Sequence, residues 1–306
     1  RILNHGQYSE ILTECTLSTE RFPFLVDHSI DETPYHPGVM AMEMFAQNAL
    51  LLYPMCNLEG FSEVKFGLPI KLMKEEIRVR VKAEYYDQDH NSLFIKCHIE
   101  SDLTNSKGEI FGEPRIHHEA IVRLLKEGAE RDAELPFTGS PGRGKASFQP
   151  SFIYDRFFHG PRFQVLGGLI KGVSDGDDIG TDGIALLRNQ LPNTNLFDEE
   201  PALLESLPML IEACFQNAGL VAMEVDGISS LPIGIDECEI LKVPATRDEL
   251  RVRSYRRHQE EEGVTVHDAM VFDRNQKPIV SLKGLRLKGM APVPEDLRFE
   301  LKRKGK

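Results

Sequence analysis

One helix is written twice in this chain. The segments VMAMEMFAQNALLL (39–52) and PMLIEACFQNAGLV (208–221) each set a single acidic residue, Glu43 or Glu212, in an apolar run. Each has Gln four residues later, Gln47 or Gln216, followed by Asn-Ala. A helix that is apolar on nearly every face has to be covered on nearly every face. A carboxyl group inside it is costly to bury without a partner or a chemical purpose. The repetition predicts two related halves that share one task.

The segments after each helix are repeated as well. FSEVKFGLPIKL (61–72) and EEIRVRVKAEYY (75–86) come after the first; LPIGIDECEIL (231–241) and DELRVRSYRR (248–257) come after the second. SLFIKCHIES (92–101) and EAIVRLLK (119–126) complete the first set, GVTVHDAMVF (263–272) and PIVSLKGLRL (278–287) the second. Their period-two alternation reads as half-buried strands, separated by turn material such as TNSKGE (104–109) and DRNQKP (273–278). Each half is then a long apolar helix followed by an antiparallel meander. A curved sheet wrapped around the helix covers it. The predicted fold class is α+β, a tandem or double hot-dog. The expected boundaries are 1–126 for the first half, a Gly-, Pro- and Ser-rich linker at 127–151, and 152–306 for the second half.

Composition narrows the function. The 306 residues are 41% hydrophobic and 27% charged, as in ordinary globular domains. A net charge of −12 argues against a general binder of nucleic acid or anionic membranes. No window approaches a membrane span and no signal peptide opens the chain. Five scattered cysteines without a CxxC pair fit a reduced cytoplasmic setting. The chain starts at Arg1 rather than Met, as a domain cut from a longer polypeptide would.

The segment FPFLVDHSIDETPYHPGVMAME (22–43) leads into the first helix. With His28 nine residues before Pro37, it resembles the HxxxGxxxxP motif of the dehydratase domains of polyketide and polyunsaturated-fatty-acid synthases. Glu32 stands at the motif's glycine. The PGV…E…AQ helix is similar to that of the stand-alone β-hydroxyacyl-carrier-protein dehydratases. HGPRFQVLGGL (159–169) resembles the YGPxFQ motif, with His159 where Tyr is usual. LPMLIEACFQ (207–216) resembles HPxLLDxxxQ, with Leu207 for His and Glu212 for Asp. The three motifs, in the family's order, cover most of the chain.

The resemblance implies a dehydratase that takes a 3-hydroxyacyl chain on the phosphopantetheine arm of an acyl carrier protein and releases water to give a trans-2-enoyl chain. One group must accept the α-proton and another must donate a proton to the departing hydroxyl. His28 suits the base near neutral pH. Glu212, among Leu210, Ile211 and Phe215, suits an acid kept protonated by apolar neighbours. The family implies that these two residues, one from each half, serve one site. Pro37 shapes the loop, the Gly38 backbone polarises the thioester, and Gln216 orients Glu212. His159, Gly160, Pro161, Phe163 and Gln164 line or brace the acyl tunnel, unless His159 only caps the Gly-Pro turn. No metal or redox cofactor is implied. The implied partners are the carrier protein and the other domains of a multidomain synthase. A homodimer is compatible with the resemblance, and so is a monomer.

Other readings stand beside this one. His28 can be a loop histidine, and Glu212 a structural carboxyl held by Gln216 at i+4. Glu43 reads as structural, and His36 is a reserve base. His117 and His118 would point to opposite faces of a strand. SDGDDIGTDG (174–183) reads as an acidic turn, since position 12 counted from Asp175 is Leu186 rather than the Glu of a calcium loop. GSPGRG (139–144) lacks the context of a dinucleotide fingerprint. RVRSYRRH (251–258) is a solvated charged strand or, less simply, a phosphate or carrier contact. LKRKGK (301–306) reads as a frayed tail. A double-bond isomerase, a product-template-like cyclase and a non-catalytic acyl-binding scaffold are the alternative functions on this fold.

Overall fold

A computed structural model describes residues 2–6, 9–105, 109–131, 133–186, 207–242 and 250–301. These fall into two compact units, one within 2–131 and one within 133–301. The expected tail beyond Leu301, the turn residues 106–108 and the first two residues of the predicted strand 248–257 lie outside the described residues.

The first unit contains strands β1 (Ile2–Gly6), β2 (Glu10–Ser18), β3 (Ser29–Ile30) and β4 (Thr33–Pro34) ahead of helix α1 (Gly38–Leu52). After the helix come β5 (Asn57–Phe66), β6 (Glu76–Gln88), β7 (Ser92–Ser101) and β8 (Arg115–Leu125). Its large sheet runs in the order β5-β8-β7-β6-β2-β1, with each pair antiparallel. The helix packs on β6, β7 and β8, and Met42, Phe45, Ala46 and Ala49 are fully buried. Burying each large apolar side chain of this kind stabilises the fold by about 1.5–3 kcal/mol. In β2, Ile11, Thr13, Cys15 and Leu17 are buried and alternate with partly exposed residues, so the strand turns one face to the helix.

The second unit repeats this plan. Helix α2 (Pro150–Tyr154), β9 (Leu166–Asp175) and β10 (Asp178–Ala185) precede α3 (Leu207–Val225). Strands β11 (Ile228–Ile240), β12 (Leu250–Glu261), β13 (Val264–Phe272) and β14 (Pro278–Pro292) come after it. The strand order is β11-β14-β13-β12-β10-β9, which matches the first unit strand for strand. The fold is therefore a double hot-dog. Each half also has two sheet strands before its helix, which extends the predicted helix-then-meander plan.

The Asn of each helical repeat ties the helix to its sheet. Asn48 Oδ1 accepts from Thr13 Oγ1 on β2 at 2.8 Å. Asn217 Nδ2 donates to Ser254 Oγ on β12 at 2.9 Å and to the Thr181 carbonyl on β10 at 3.2 Å.

Most of the stretch expected as a linker at 127–151 is packed onto the second unit. Phe137 is buried against Tyr255, their rings 5.0 Å apart edge to face. Gly142 N–H donates to Asp182 Oδ2 at 2.9 Å, and Ser147 N–H donates to the Leu169 carbonyl at 2.7 Å. The composition signals irregular backbone, but Phe137 and Phe148 anchor it. Phe148 stacks on Phe152, with ring centroids 4.2 Å apart.

The arginines of β12 are engaged internally rather than displayed. Arg253 makes a two-pronged bond to fully buried Asp182 at 2.6 and 2.9 Å. Arg256 pairs with Asp226, and Arg257 pairs with Asp178 and Asp268. These pairings correct the reading of the strand as a simple solvated face for Arg253, Arg256 and Arg257, each of which is already bonded to an aspartate. Asp178 and Asp182 belong to the supposed acidic turn, which is the β9–β10 hairpin with Gly176 at its bend (φ 60°).

The loop that carries His28 contains a two-residue hairpin. Ser29 pairs with Pro34 and Ile30 with Thr33, so Asp31-Glu32 form the turn. Both have positive φ, 48° and 62°, as a type I′ turn requires. Glu32 thus keeps a left-handed backbone at the position where the motif has glycine. Residues other than Gly, Asn and Asp are strained there. Glu32→Gly is expected to stabilise the protein by about 0.5–1 kcal/mol, read as a rise in denaturation midpoint. A fall would show that the Glu32 side chain does more than tolerate the turn.

Candidate active site

In the first unit the chain ahead of α1 is held by backbone bonds. A short 3-10 turn, Pro23–Asp27, ends at His28, whose N–H donates to the Leu25 carbonyl at 3.2 Å. Tyr35 N–H donates to the His28 carbonyl at 2.9 Å. His28 Nδ1 lies 3.0 Å from the Tyr35 carbonyl oxygen. A carbonyl can only accept, so Nδ1 carries the hydrogen and, in the neutral ring, Nε2 carries the lone pair. The ring is half-buried.

Pro37 caps α1 in an extended conformation and Gly38 is its first residue. A Cβ on Gly38 would come within 2.8 Å of the Phe66 ring, so only glycine fits without displacing that ring. His36, the reserve base, is buried, and its N–H donates to the Ile70 carbonyl at 2.9 Å. Burial, reinforced by neighbouring His118, His28 and His117, pushes its pKa down to about 3. It is therefore a poor proton acceptor near neutral pH. His117 bonds Ser101 Oγ at 2.8 Å and the Leu68 carbonyl at 3.0 Å, and His118 lies edge-on to Phe66.

Glu43 is almost fully buried on α1. Gln47 Nε2 donates to its Oε1 at 2.8 Å, and Oε2 has no hydrogen-bond partner among the described residues. Burial raises its pKa to about 7, against the smaller opposing effect of the Gln47 bond.

The second unit gathers the other predicted residues around Glu212, which is 5% exposed. Gln216 Nε2 donates to Glu212 Oε1 at 2.8 Å and to the Phe163 carbonyl at 2.8 Å. This repeats the Gln47–Glu43 bond of the first helix. His159 Nε2 lies 3.2 Å from the same Oε1. The His159 ring stacks on Phe158 at 4.3 Å and meets Phe157 edge-on at 5.5 Å.

A tight turn presents His159. Phe163 N–H donates to the Gly160 carbonyl at 3.0 Å, and Gln164 N–H to the Pro161 carbonyl at 3.4 Å. Gln164 Nε2 donates to the His159 carbonyl at 3.1 Å. Gly160, Pro161, Phe163 and Gln164 therefore brace the carboxyl's partners. Tyr154 on α2 was not expected here. Its hydroxyl donates to Gln216 Oε1 at 2.9 Å and accepts from Leu166 N–H at 2.7 Å. Burial raises the Tyr154 pKa, so the phenol stays protonated and remains a donor.

The family model described as "Polyketide synthase dehydratase N-terminal domain" matches residues 130–295, more than half of the chain. The chain belongs to the polyketide synthase dehydratase family. This dehydratase acts on a 3-hydroxyacyl intermediate, and the matched region contains the whole Glu212 cluster.

Solved structures share the fold. The dehydratase domain of a mycocerosic acid synthase-like polyketide synthase has a TM-score of 0.67 at 18% identity, covering 95% of each chain. A CurJ dehydratase, described as an inactive mutant with phenylalanine in place of a histidine and bound to a compound, has a TM-score of 0.67 at 16% identity, also over 95% of each chain. A trans-AT polyketide synthase dehydratase domain from Brevibacillus brevis has a TM-score of 0.66 at 19% identity, over 92% of this chain and 94% of that one. A search of the curated proteins finds no match.

Within the dehydratase, sequence reasoning placed His159 as a tunnel-lining or capping residue, and the structure adds its direct contact with Glu212. Tyr154 carried no motif signal. Among the described residues no group of three or more His, Cys, Asp or Glu side chains is arranged to hold a metal, and no helix is long and apolar enough to cross a membrane.

Proposed function

We propose that this dehydratase uses His28 as the base and Glu212 as the acid, on a 3-hydroxyacyl chain delivered by an acyl carrier protein. His28 Nε2 takes the α-proton. The carbonyl oxygen gains negative charge, to which the Gly38 N–H at the start of α1 is suited. Glu212 gives its proton to the leaving hydroxyl. The C2–C3 double bond forms, water departs, and exchange with solvent returns both side chains to their starting states.

The observation that carries this reading is the bond of His28 Nδ1 to the Tyr35 carbonyl, which leaves the other ring nitrogen as the proton acceptor. Glu212 is almost fully buried in the apolar helix, with Gln216 holding one of its two oxygens. The inactivity described for the histidine-to-phenylalanine CurJ variant supports an essential histidine in this fold. The chemistry needs no metal or redox cofactor. The carrier protein and neighbouring synthase domains are the partners this reading requires.

The test is turnover of a 3-hydroxyacyl pantetheine thioester followed by mass spectrometry. The expected product is lighter by one water, whereas isomerisation would leave the mass unchanged. His28→Ala is expected to lower kcat by about 10²–10⁴-fold with the circular dichroism spectrum unchanged. A folded His28→Ala variant with full activity would remove His28 from the mechanism.

A further inference from the structure

The loop between β5 and β6 and the end of β7 enclose a cavity of about 430 Å³ in the first unit. Its charged lining is Lys71, Lys74, Arg78, Glu76 and Asp102. Arg80 already holds Asp102 in a two-pronged bond at 2.7 and 2.9 Å. Arg78 is 66% exposed and touches Glu14 only at 4.0 Å. Lys71 and Lys74 make no ion pair with a described residue. Three cations therefore face the one carboxylate of Glu76, in a chain whose net charge is −12. Beside them stand Ile77 and two side chains left in water, Met73 at 76% and Ile110 at 65% exposed. Apolar groups gathered in a concave place next to unpaired cations make a surface for an amphipathic anion.

The backbone ties this cavity to the His28 loop. Tyr35 pairs with Lys71, and Leu72 N–H donates to the Pro34 carbonyl at 2.9 Å. Lys71 Nζ lies 5.2 Å from the centroid of the Tyr35 ring. Tyr35 is also the residue whose carbonyl holds His28 Nδ1.

We propose that this cavity binds the phosphate end of the carrier's phosphopantetheine arm. Lys71, Lys74 and Arg78 surround the phosphodiester, and Met73, Ile77 and Ile110 meet the carbon beside it that bears two methyl groups. This rests on the reading that a carrier delivers the acyl chain to His28. The arm sets an anion next to a branched hydrocarbon, and the cavity sets cations next to apolar side chains. Its volume is within the range of small-ligand sites, about 300–1,000 Å³. Lysine serves a phosphate as a point charge and arginine as a fork of donors. Lys71 and His28 share Tyr35 as a neighbour, so phosphate site and base lie within the arm's reach of each other. Salt screens exposed charges beyond about 8 Å at physiological strength. These cations thus seat an arm that has arrived and do not draw it from afar.

The experiment presents one 3-hydroxyacyl group to the whole chain in three forms: on pantetheine, on phosphopantetheine and on an acyl carrier protein. In the parent, the phosphate is expected to lower KM about tenfold relative to pantetheine. Lys74→Gln should reduce that ratio to about threefold, and Lys71→Gln with Lys74→Gln to about one. Both substrates are compared on the same protein, so a loss of folding or of chemistry cancels from the ratio. Relative to pantetheine, kcat/KM for the carrier-borne substrate should fall about tenfold in the double variant. A ratio near one in the parent, or an undiminished ratio in the double variant, overturns the proposal. So does a diminished ratio with carrier-borne turnover unchanged, because the site then takes a free phosphate and not the carrier's arm. Calorimetry with unacylated pantetheine and phosphopantetheine measures the same ratio without turnover. A protein that releases no water from any form therefore counts against His28 and Glu212, while the cavity is judged on affinity.

Discussion

Glu212→Gln is expected to reduce kcat for dehydration by about 10²–10⁴-fold while leaving the protein folded. The amide has nearly the shape of the acid. Its oxygen can still accept from Gln216, which holds Oε1. What it lacks is a proton acidic enough to leave with the hydroxyl. The loss therefore falls on kcat, with KM close to that of the parent. Steady-state kinetics on a 3-hydroxyacyl pantetheine thioester, with a thermal melt as the folding control, decide the matter. Retention of more than about a tenth of the parent rate would reassign Glu212 to a structural role.

Glu43→Gln should instead alter how stability depends on pH. The Glu43 carboxyl has a folded pKa of about 7 against a reference value of 4.5. A carboxyl whose folded pKa is raised favours the fold in its neutral form. That contribution is fully present below pH 4.5 and is lost as pH rises towards 7 and beyond. The loss amounts to about 3 kcal/mol between these limits. The glutamine variant cannot ionise, so this slope should vanish, and the variant should be the more stable protein at pH 8. Denaturant titrations of both proteins at pH 5 and pH 8 measure it. An unchanged slope in the variant would place the titration elsewhere.

The two glutamates show what could and could not be read from the sequence. The repeated Glu-x-x-x-Gln announces an i,i+4 pair, and both pairs close at 2.8 Å. Apolar runs located both long helices, and alternation located the strands that come after them. The strands before each helix were less legible. β9 (LGGLIKGVSD) is rich in glycine and buried at consecutive positions, so it shows no period-two pattern, whereas β2 shows the alternation in Ile11, Thr13, Cys15 and Leu17. Motif resemblance supplied His28, His159 and Glu212 as residue types in order. It could not supply the His159–Glu212 contact, which joins residues far apart in the chain through the tertiary fold. Nor could it show that His36 is buried too deeply to serve as a base, because its depth depends on residue 70 and on β8.

The pairing of the β12 arginines with aspartates also bears on how substrate arrives. A domain of net charge −12 whose Arg253, Arg256 and Arg257 are already neutralised exerts little long-range pull on an acidic visitor. Encounter with such a visitor in free solution is slowed by like-charge repulsion, which raising the salt concentration would relieve. Covalent linkage on one polypeptide raises the local concentration to about the millimolar range with no attraction needed. For the carrier protein proposed above, this charge layout favours a workstation fed by a leash over capture from the bulk.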